Sequence, residues 1–145
     1  MLAIFLDSSF YVALINPLDK NGDRAKKILK MLFSGKYGQI FTSSFVMSET
    51  GTVVAIRNTT NASNFVQQSK ELFIGNKKLA ILLQLGKNDE FASWDLMIKT
   101  NRNAKFAKDI LSWVDCSIIV LCKKHRIEYI ASFDAHFDSF LRRVK

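Results

Sequence analysis

Four acidic residues stand where the pattern of the sequence places carboxylates next to buried elements. They are Asp7, Glu49, Asp115 and Asp134. Carboxylates gathered within a few ångströms repel one another, and all stay ionised only when a cation joins them. Oxygen ligands without His or Cys are typical of Mg²⁺ or Mn²⁺ rather than of zinc. A metal held in this way supports the hydrolysis of phosphodiester bonds.

Each of these acids also has a purely structural explanation. Ser112 precedes Asp115 by three residues, and S-x-x-D before an apolar run predicts a capping box at the start of a helix. Asp7 and Asp134 fit the N-cap position of the helices that follow them. Glu49 fits an acid at the rim of the core. Each explanation suffices for one residue, and the four positions together favour a shared site.

Short apolar runs and helical spacings predict the elements that position these acids. Strands are predicted at residues 2–6, 38–42, 78–85 and 127–132, and helices at 9–16, 20–34, 44–57, 62–73, 112–125 and 134–141, with one or two more within 89–110. Strands that alternate with helices indicate an α/β fold with a mainly parallel sheet. Open sheets of this kind bind ligands at the carboxyl edge, where Asp7 and Asp134 fall. Glu49 belongs to the stripe Phe45, Glu49, Val53 and Ile56, which predicts an inward helix face.

Composition and charge limit the class of protein. A chain of 145 residues with 48% hydrophobic and 23% charged residues is typical of one globular domain, here residues 1–145, and excludes a disordered chain. The formal net charge of +8 favours a polyanionic partner such as nucleic acid, with solubility as the alternative reason for it. Two cysteines without a C-x-x-C motif indicate free thiols in a reducing cytosol. No signal peptide or membrane span is recognisable, so we expect a cytoplasmic protein.

The segments around the four acids resemble a known family, the PIN domain, and within it the VapC-type toxins of toxin–antitoxin pairs. The matching segments are FLDSSF around Asp7, SSFVMSE ending at Glu49, LSWVDCSII around Asp115 and IASFDAHFDSF around Asp134. They occur in the order and at the spacing of the family, and they cover nearly the whole chain.

This resemblance implies a PIN-like three-layer sandwich, in which helices flank a mainly parallel sheet, and a ribonuclease that uses Mg²⁺ or Mn²⁺. It implies Asp7 and Asp115 as direct ligands of the main metal, with Glu49 and Asp134 completing the pocket through water or a second metal. Ser132 matches the small hydroxyl residue that precedes the fourth acid by two positions. The implied partners are RNA and an antitoxin protein.

Other interpretations remain open on the sequence. The same fold also serves RNA-processing nucleases that have no antitoxin, and modules that bind RNA or protein without cleaving. A haloacid-dehalogenase-like phosphatase would need a second acid where Ser9 stands. The remaining ionisable residues near the motifs are predicted to lie on the surface: Asp89, Glu90, Asp95, Asp109, Asp138, His125 and His136.

Apolar excess predicts self-association. The chain carries twelve Phe, and the helices from Ala25 to Phe33 and from Ala62 to Phe73 show apolar stripes away from the strands that carry the site. Exposed stripes of this kind mark partner surfaces, and VapC-like domains commonly pair, so we expect a symmetric homodimer. The alternative is that both stripes are core faces of a monomer.

Overall fold

A computed structural model describes residues 1–145 as a five-stranded sheet flanked by six helices. The strands are β1 (Ala3–Leu6), β2 (Gln39–Ser43), β3 (Ile81–Leu83), β4 (Tyr129–Ala131) and β5 (Arg142–Val144). They lie in the order β3-β2-β1-β4-β5, and every neighbouring pair is parallel. The predicted α/β fold with a mainly parallel sheet is confirmed, and the sheet proves to be wholly parallel.

The helices pack in two groups against this sheet. They are α1 (Ser8–Ile15), α2 (Gly22–Phe33), α3 (Ser44–Arg57), α4 (Ala62–Phe73), α5 (Lys87–Thr100) and α6 (Trp113–Lys124). The first four pack on one another, and α5 packs on α6, as the three-layer arrangement requires. No helix is both long enough and apolar enough to cross a membrane.

The central strands are buried because helices cover both faces of the sheet. Ile4, Phe5 and Leu6 of β1 have no exposed surface, which explains why β1 reads as a continuous apolar run. Tyr11 of α1 stacks on Phe73 of α4 with ring centroids 4.0 Å apart. Each large side chain buried in this way contributes about 1.5–3 kcal/mol relative to exposure. The core therefore holds the ends of β1 and β4 in a fixed position.

The prediction of a last helix over residues 134–141 was wrong. Residues Ala135–Ser139 form a short 3-10 turn, and the chain then enters β5. Parallel strands usually need a connection of a dozen or more residues, and here residues 132–141 alone connect β4 to β5, so the crossover is tight. Phe137 is fully buried beneath the turn, and Arg143 of β5 pairs with Asp138 at 2.8 Å.

The predicted inward stripe of α3 was also partly wrong. The fully buried residues of this helix are Val46, Thr50 and Val54, whereas Ile56 is 69% exposed. Glu49 therefore lies beside the buried face and is half-buried. This position leaves its carboxylate at the border between core and solvent.

The two stripes on which the dimer expectation rested are core faces. Ala25, Ile28 and Leu32 of α2 are buried, and so is Phe73 of α4. Apolar side chains are exposed instead on α5. Phe91, Trp94 and Ile98 are between 55% and 60% exposed there.

Candidate metal centre

The site begins where β1 and β4 end side by side. The connection from β1 leads toward β2 on one side of the sheet, whereas β4 continues to β5 on the other, so the two strand ends open a crevice. The backbone N–H of Asp7 donates to the carbonyl oxygen of Ala131 at 3.1 Å. This bond extends the sheet by one residue and fixes the backbone of Asp7 at the crevice.

The carboxylate of Asp7 is buried and held by serine hydroxyls. Its Oδ2 accepts from Ser132 Oγ at 2.7 Å and from Ser9 Oγ at 2.9 Å, while Oδ1 receives only a long contact of 3.4 Å from Ser8 Oγ. The side chain makes no capping hydrogen bond to α1, so the N-cap explanation fails for this residue. Burial raises the pKa of Asp7, and the serine hydrogen bonds offset that rise only in part.

The same serines order the loop that follows β4. Ser132 Oγ accepts from the backbone N–H of Asp134 at 3.0 Å, and Ser9 Oγ accepts from the backbone N–H of Phe133 at 3.0 Å. The loop that carries Asp134 is therefore tied to the carboxylate of Asp7 through two hydroxyl groups.

Asp115 caps α6, and its carboxylate also lies close to the other acids. The predicted capping box is confirmed: Ser112 Oγ accepts from the N–H of Asp115 at 3.0 Å, and Asp115 Oδ2 accepts from the N–H of Ser112 at a long 3.4 Å. Burial, followed by the negative charges of Asp7 and Asp134, raises the pKa of Asp115 to about 6. Capping fixes the carboxylate in place but does not neutralise it.

Glu49 approaches the same charges from α3. This helix begins immediately after β2, where Ser43 Oγ accepts from the N–H of Val46 at 3.3 Å. Burial raises the pKa of Glu49, and the charge of Asp7 raises it further, with smaller effects from Asp115 and Asp134. Like Asp7 and Asp115, this carboxyl group ionises less readily than an exposed one.

Asp134 and His136 lie together on the turn after β4. Asp134 caps this turn, because its Oδ1 accepts from the backbone N–H of His136 at 2.9 Å. One ligand atom from each of Asp115, Asp134 and His136 lies within 4.8 Å of the other two. The prediction that His136 is a solvated surface residue was wrong, since only 31% of its side chain is exposed. The sequence did not indicate that His136 lies beside Asp134, because residues two positions apart face different directions on the helix that was predicted there.

The four predicted acids therefore gather at one crevice, two of them in direct proximity and two farther away. Asp115 and Asp134 are close neighbours, and Asp7 and Glu49 lie outside that group but within reach of its charge. Asp138 is exposed and pairs with Arg143, as predicted for a surface acid. The prediction that Asp89 lies on the surface was wrong, because this residue is only 7% exposed. Its carboxylate forms an ion pair with Lys124 Nζ at 2.9 Å, which links α5 to α6.

The donor set fits a divalent cation. Burial and mutual repulsion raise the pKa of three of its carboxyl groups, so the group as a whole favours a bound positive charge. Carboxylate oxygens in this number are the ligands that Mg²⁺ and Mn²⁺ prefer.

Comparison with known proteins gives a consistent result. The family model of the PIN domain matches residues 4–141. The fold is similar to that of VapC20 from Mycobacterium tuberculosis, described as a sarcin–ricin loop cleaving toxin, with a TM-score of 0.74 and 21% identity over 94% of this chain and 93% of that one.

Two further solved structures share the fold. VapBC2 from Rickettsia felis, bound to a DNA fragment from its promoter, has a TM-score of 0.69 and 17% identity over 98% of this chain and 97% of that one. FitAB bound to an IR36 DNA fragment has a TM-score of 0.62 and 16% identity over 97% of this chain and 92% of that one. No curated protein sequence matches the chain significantly.

Replacing Asp115 with Asn is expected to stabilise the metal-free protein at neutral pH. An acid whose pKa is raised by folding lowers the free energy of unfolding. The full loss applies at pH values above its pKa in the folded protein, here about 6, and no loss applies below its ordinary pKa of 3.8. A shift of this size corresponds to at most about 3 kcal/mol, against about 0.5–2 kcal/mol if the cap is lost. Urea unfolding should therefore give a higher free energy of unfolding for the variant than for the wild type at about pH 7.5, and a smaller difference at about pH 5.

Asp95→Asn on the exposed surface of α5 is the matched control, and it should change the free energy of unfolding by no more than about 0.5 kcal/mol at either pH. Equal destabilisation of Asp115→Asn at both pH values would mean that capping is the whole energetic role of Asp115.

Proposed function

The chain belongs to the PIN domain family, and on that premise we propose that it is a Mg²⁺- or Mn²⁺-dependent endoribonuclease that hydrolyses RNA phosphodiester bonds. One observation carries the proposal: four carboxyl groups converge at the crevice between β1 and β4, and the pKa values of Asp7, Glu49 and Asp115 are raised there. A soluble domain gains no stability from such a cluster, whereas a metal-dependent nuclease requires one.

In this proposal Asp7 and Asp115 bind the cation directly, and Glu49 and Asp134 complete its surroundings. When bound, the cation supplies an activated water molecule and offsets the charge that develops on the phosphate. Ser132 and Ser9 hold Oδ2 of Asp7, which leaves Oδ1 with only one long contact and therefore free to bind a cation. Glu49 lines the cavity in front of the site, where its raised pKa suits it to accept a proton from the attacking water.

The surface beside the carboxylates supports RNA as the substrate. A cavity of about 700 Å³ has Glu49 and Asp134 on its walls, and Lys20 and Phe133 connect it to a second cavity of about 340 Å³. We call the cationic lining of this second cavity the basic trough. Its members are Lys20, Arg24, Arg143 and Lys145.

Arg24 is held next to the site by an aromatic contact. Its guanidinium lies 5.5 Å from the centroid of the Phe133 ring, within the range of a cation–π interaction, and Phe133 directly precedes Asp134. Arg143 is already paired with Asp138. Lys20, Arg24 and Lys145 make no ion pair and are therefore available to bind phosphate groups of the RNA backbone.

We further propose that the chain is the toxin of a toxin–antitoxin pair, because two of the solved structures with this fold are described as VapC or VapBC proteins. The alternatives are an RNA-processing nuclease without an antitoxin and a module that binds RNA or protein without cleaving. Expression of the chain should stop cell growth, and the product of a short neighbouring reading frame should bind it and restore growth. Cleavage of RNA without any effect on growth would favour the processing nuclease.

A homodimer is also part of the proposal, through a different surface from the one that the sequence indicated. Phe91, Trp94 and Ile98 form an exposed apolar face on α5. The ring of Trp94 lies 6.0 Å from that of Trp113, which is two residues from Asp115, so this face borders the candidate site. An apolar face of this kind is typical of a surface that a second copy covers.

Purified protein is expected to cut single-stranded RNA in Mg²⁺ or Mn²⁺ and to stop when EDTA removes the metal. Asp7→Asn and Asp115→Asn should each reduce the rate about 100-fold or more, because each loses a proposed metal ligand. Asp95→Asn on the surface of α5 is the control and should retain the wild-type rate. Cleavage that persists in EDTA would contradict the proposal, and metal binding without cleavage would favour the non-catalytic alternative.

Neutralising the basic trough is expected to weaken RNA binding without slowing the chemical step. In the double variant Lys20→Gln, Arg24→Gln, the slope of log affinity against log salt should fall by roughly 1.4 if each side chain binds one phosphate of single-stranded RNA. KM should rise and kcat should stay unchanged, since neither side chain makes an ion pair with a carboxylate of the site. A matched variant, Lys70→Gln with Lys99→Gln, lowers the net charge equally on α4 and α5; an equal loss of affinity there would show that only net charge matters.

Sedimentation at micromolar concentration is expected to give twice the monomer mass of 16.5 kDa. Trp94→Asp should give the monomer, because it places a charge on the apolar face of α5. Phe33→Asp is the control: Phe33 is 69% exposed at the end of α2, and the change should leave the dimer intact. A wild-type mass of 16.5 kDa throughout would contradict the dimer, and a monomeric Phe33→Asp protein would place the interface on α2.

A further inference from the structure

The two ring nitrogens of His136 have different surroundings. Nε2 lies 2.5 Å from the backbone carbonyl oxygen of Lys108. A carbonyl oxygen only accepts hydrogen bonds, so Nε2 carries the proton and donates it. In the neutral imidazole this assignment leaves Nδ1 with a lone pair and no proton.

No hydrogen-bond donor lies next to this lone pair. Nδ1 is buried without a hydrogen-bond partner, and it lies 3.2 Å from Oδ1 of Asp134. A carboxylate of Asp115 belongs to the same cluster, within 4.8 Å. A nitrogen lone pair this close to carboxylate oxygens is repulsive, and either a proton or a metal cation at Nδ1 removes that repulsion.

The turn after β4 fixes this arrangement. Asp134 Oδ1 accepts from the backbone N–H of His136 at 2.9 Å, and Phe137 is buried directly after it. The imidazole is therefore held at one nitrogen by a backbone carbonyl and presents the other to the carboxylates. Histidine ligands of metals almost always show this pattern, in which the nitrogen not bound to the metal donates to a carbonyl or a carboxylate.

We propose that Nδ1 of His136 is a metal ligand beside Asp115 and Asp134, and that the site consequently prefers Mn²⁺ to Mg²⁺. The inference rests on the proposed function in taking this carboxylate cluster to bind a divalent cation. Mg²⁺ favours oxygen ligands alone and retains its water molecules, whereas imidazole nitrogen is a good ligand for first-row transition ions.

The inference is tested by pulsed electron paramagnetic resonance of Mn²⁺ bound to the full chain without RNA. The spectrum should show the coupling of a directly bound nitrogen. That coupling should change when the wild-type protein is made with ¹⁵N-histidine, and His136 and His125 are the only two histidines in the chain. The labelling requires no substitution, so the result does not depend on whether a variant folds.

Calorimetry with the metals alone supplies the second readout. His136→Gln should lose the nitrogen coupling and bind Mn²⁺ about tenfold more weakly or worse, with little change for Mg²⁺. His125→Gln, at the exposed end of α6, should keep both properties. Bound Mn²⁺ without nitrogen coupling, at equal affinity in His136→Gln, would overturn this inference alone and identify a proton as the intervening cation. Failure of the wild-type protein to bind any Mn²⁺ would overturn the proposed metal site as well.

Discussion

Repulsion among partly buried carboxylates is the constraint around which the rest of the structure is arranged. Burial and neighbouring charge raise the pKa values of Asp7, Glu49 and Asp115, so the fold holds these groups together against their preference for water. The apolar core fixes the ends of β1 and β4, and serine hydroxyls hold the one carboxylate that is fully enclosed. Such an arrangement is costly without a cation and favourable with one, and for this reason we propose that the crevice binds a divalent metal.

Local capping and the site use the same residues. Asp115 completes the capping box of α6, and Asp134 caps the turn after β4, yet both face the same crevice. Helix and turn starts lie at the carboxyl edge of a parallel sheet, so residues that cap them also converge on the ligand crevice. Capping therefore supplies the rigidity that a metal ligand needs, and a structural role for these acids does not compete with a functional one.

The sequence predicted those features that depend on short-range pattern. The strand ends at Asp7 and near Asp134 followed from continuous apolar runs, and the capping box of Asp115 followed from a spacing of three. Features that depend on how the chain crosses over were missed. β5 was not expected, because its three residues carry no strand pattern of their own and pair with β4 only after an unusually short parallel crossover. His136 was not expected to face the site, because its position depends on the tight turn within that crossover. The burial of Asp89 depends on Lys124 of another helix, which no local pattern reveals.

Proton release on metal binding shows directly whether the carboxyl groups of the crevice are held together for a cation. Carboxyl groups whose pKa values are raised hold protons that a bound cation must displace. Calorimetric titration of the wild-type protein and of His136→Gln with Mn²⁺, in buffers of different ionisation enthalpy, measures that release, and the variant separates it from the proton that His136 itself can lose. A clear release is expected near pH 6, close to the raised pKa of Asp115, and a smaller release is expected near pH 8. Metal binding with no proton release at either pH would contradict the claim that these carboxylates are held against their charge for a cation.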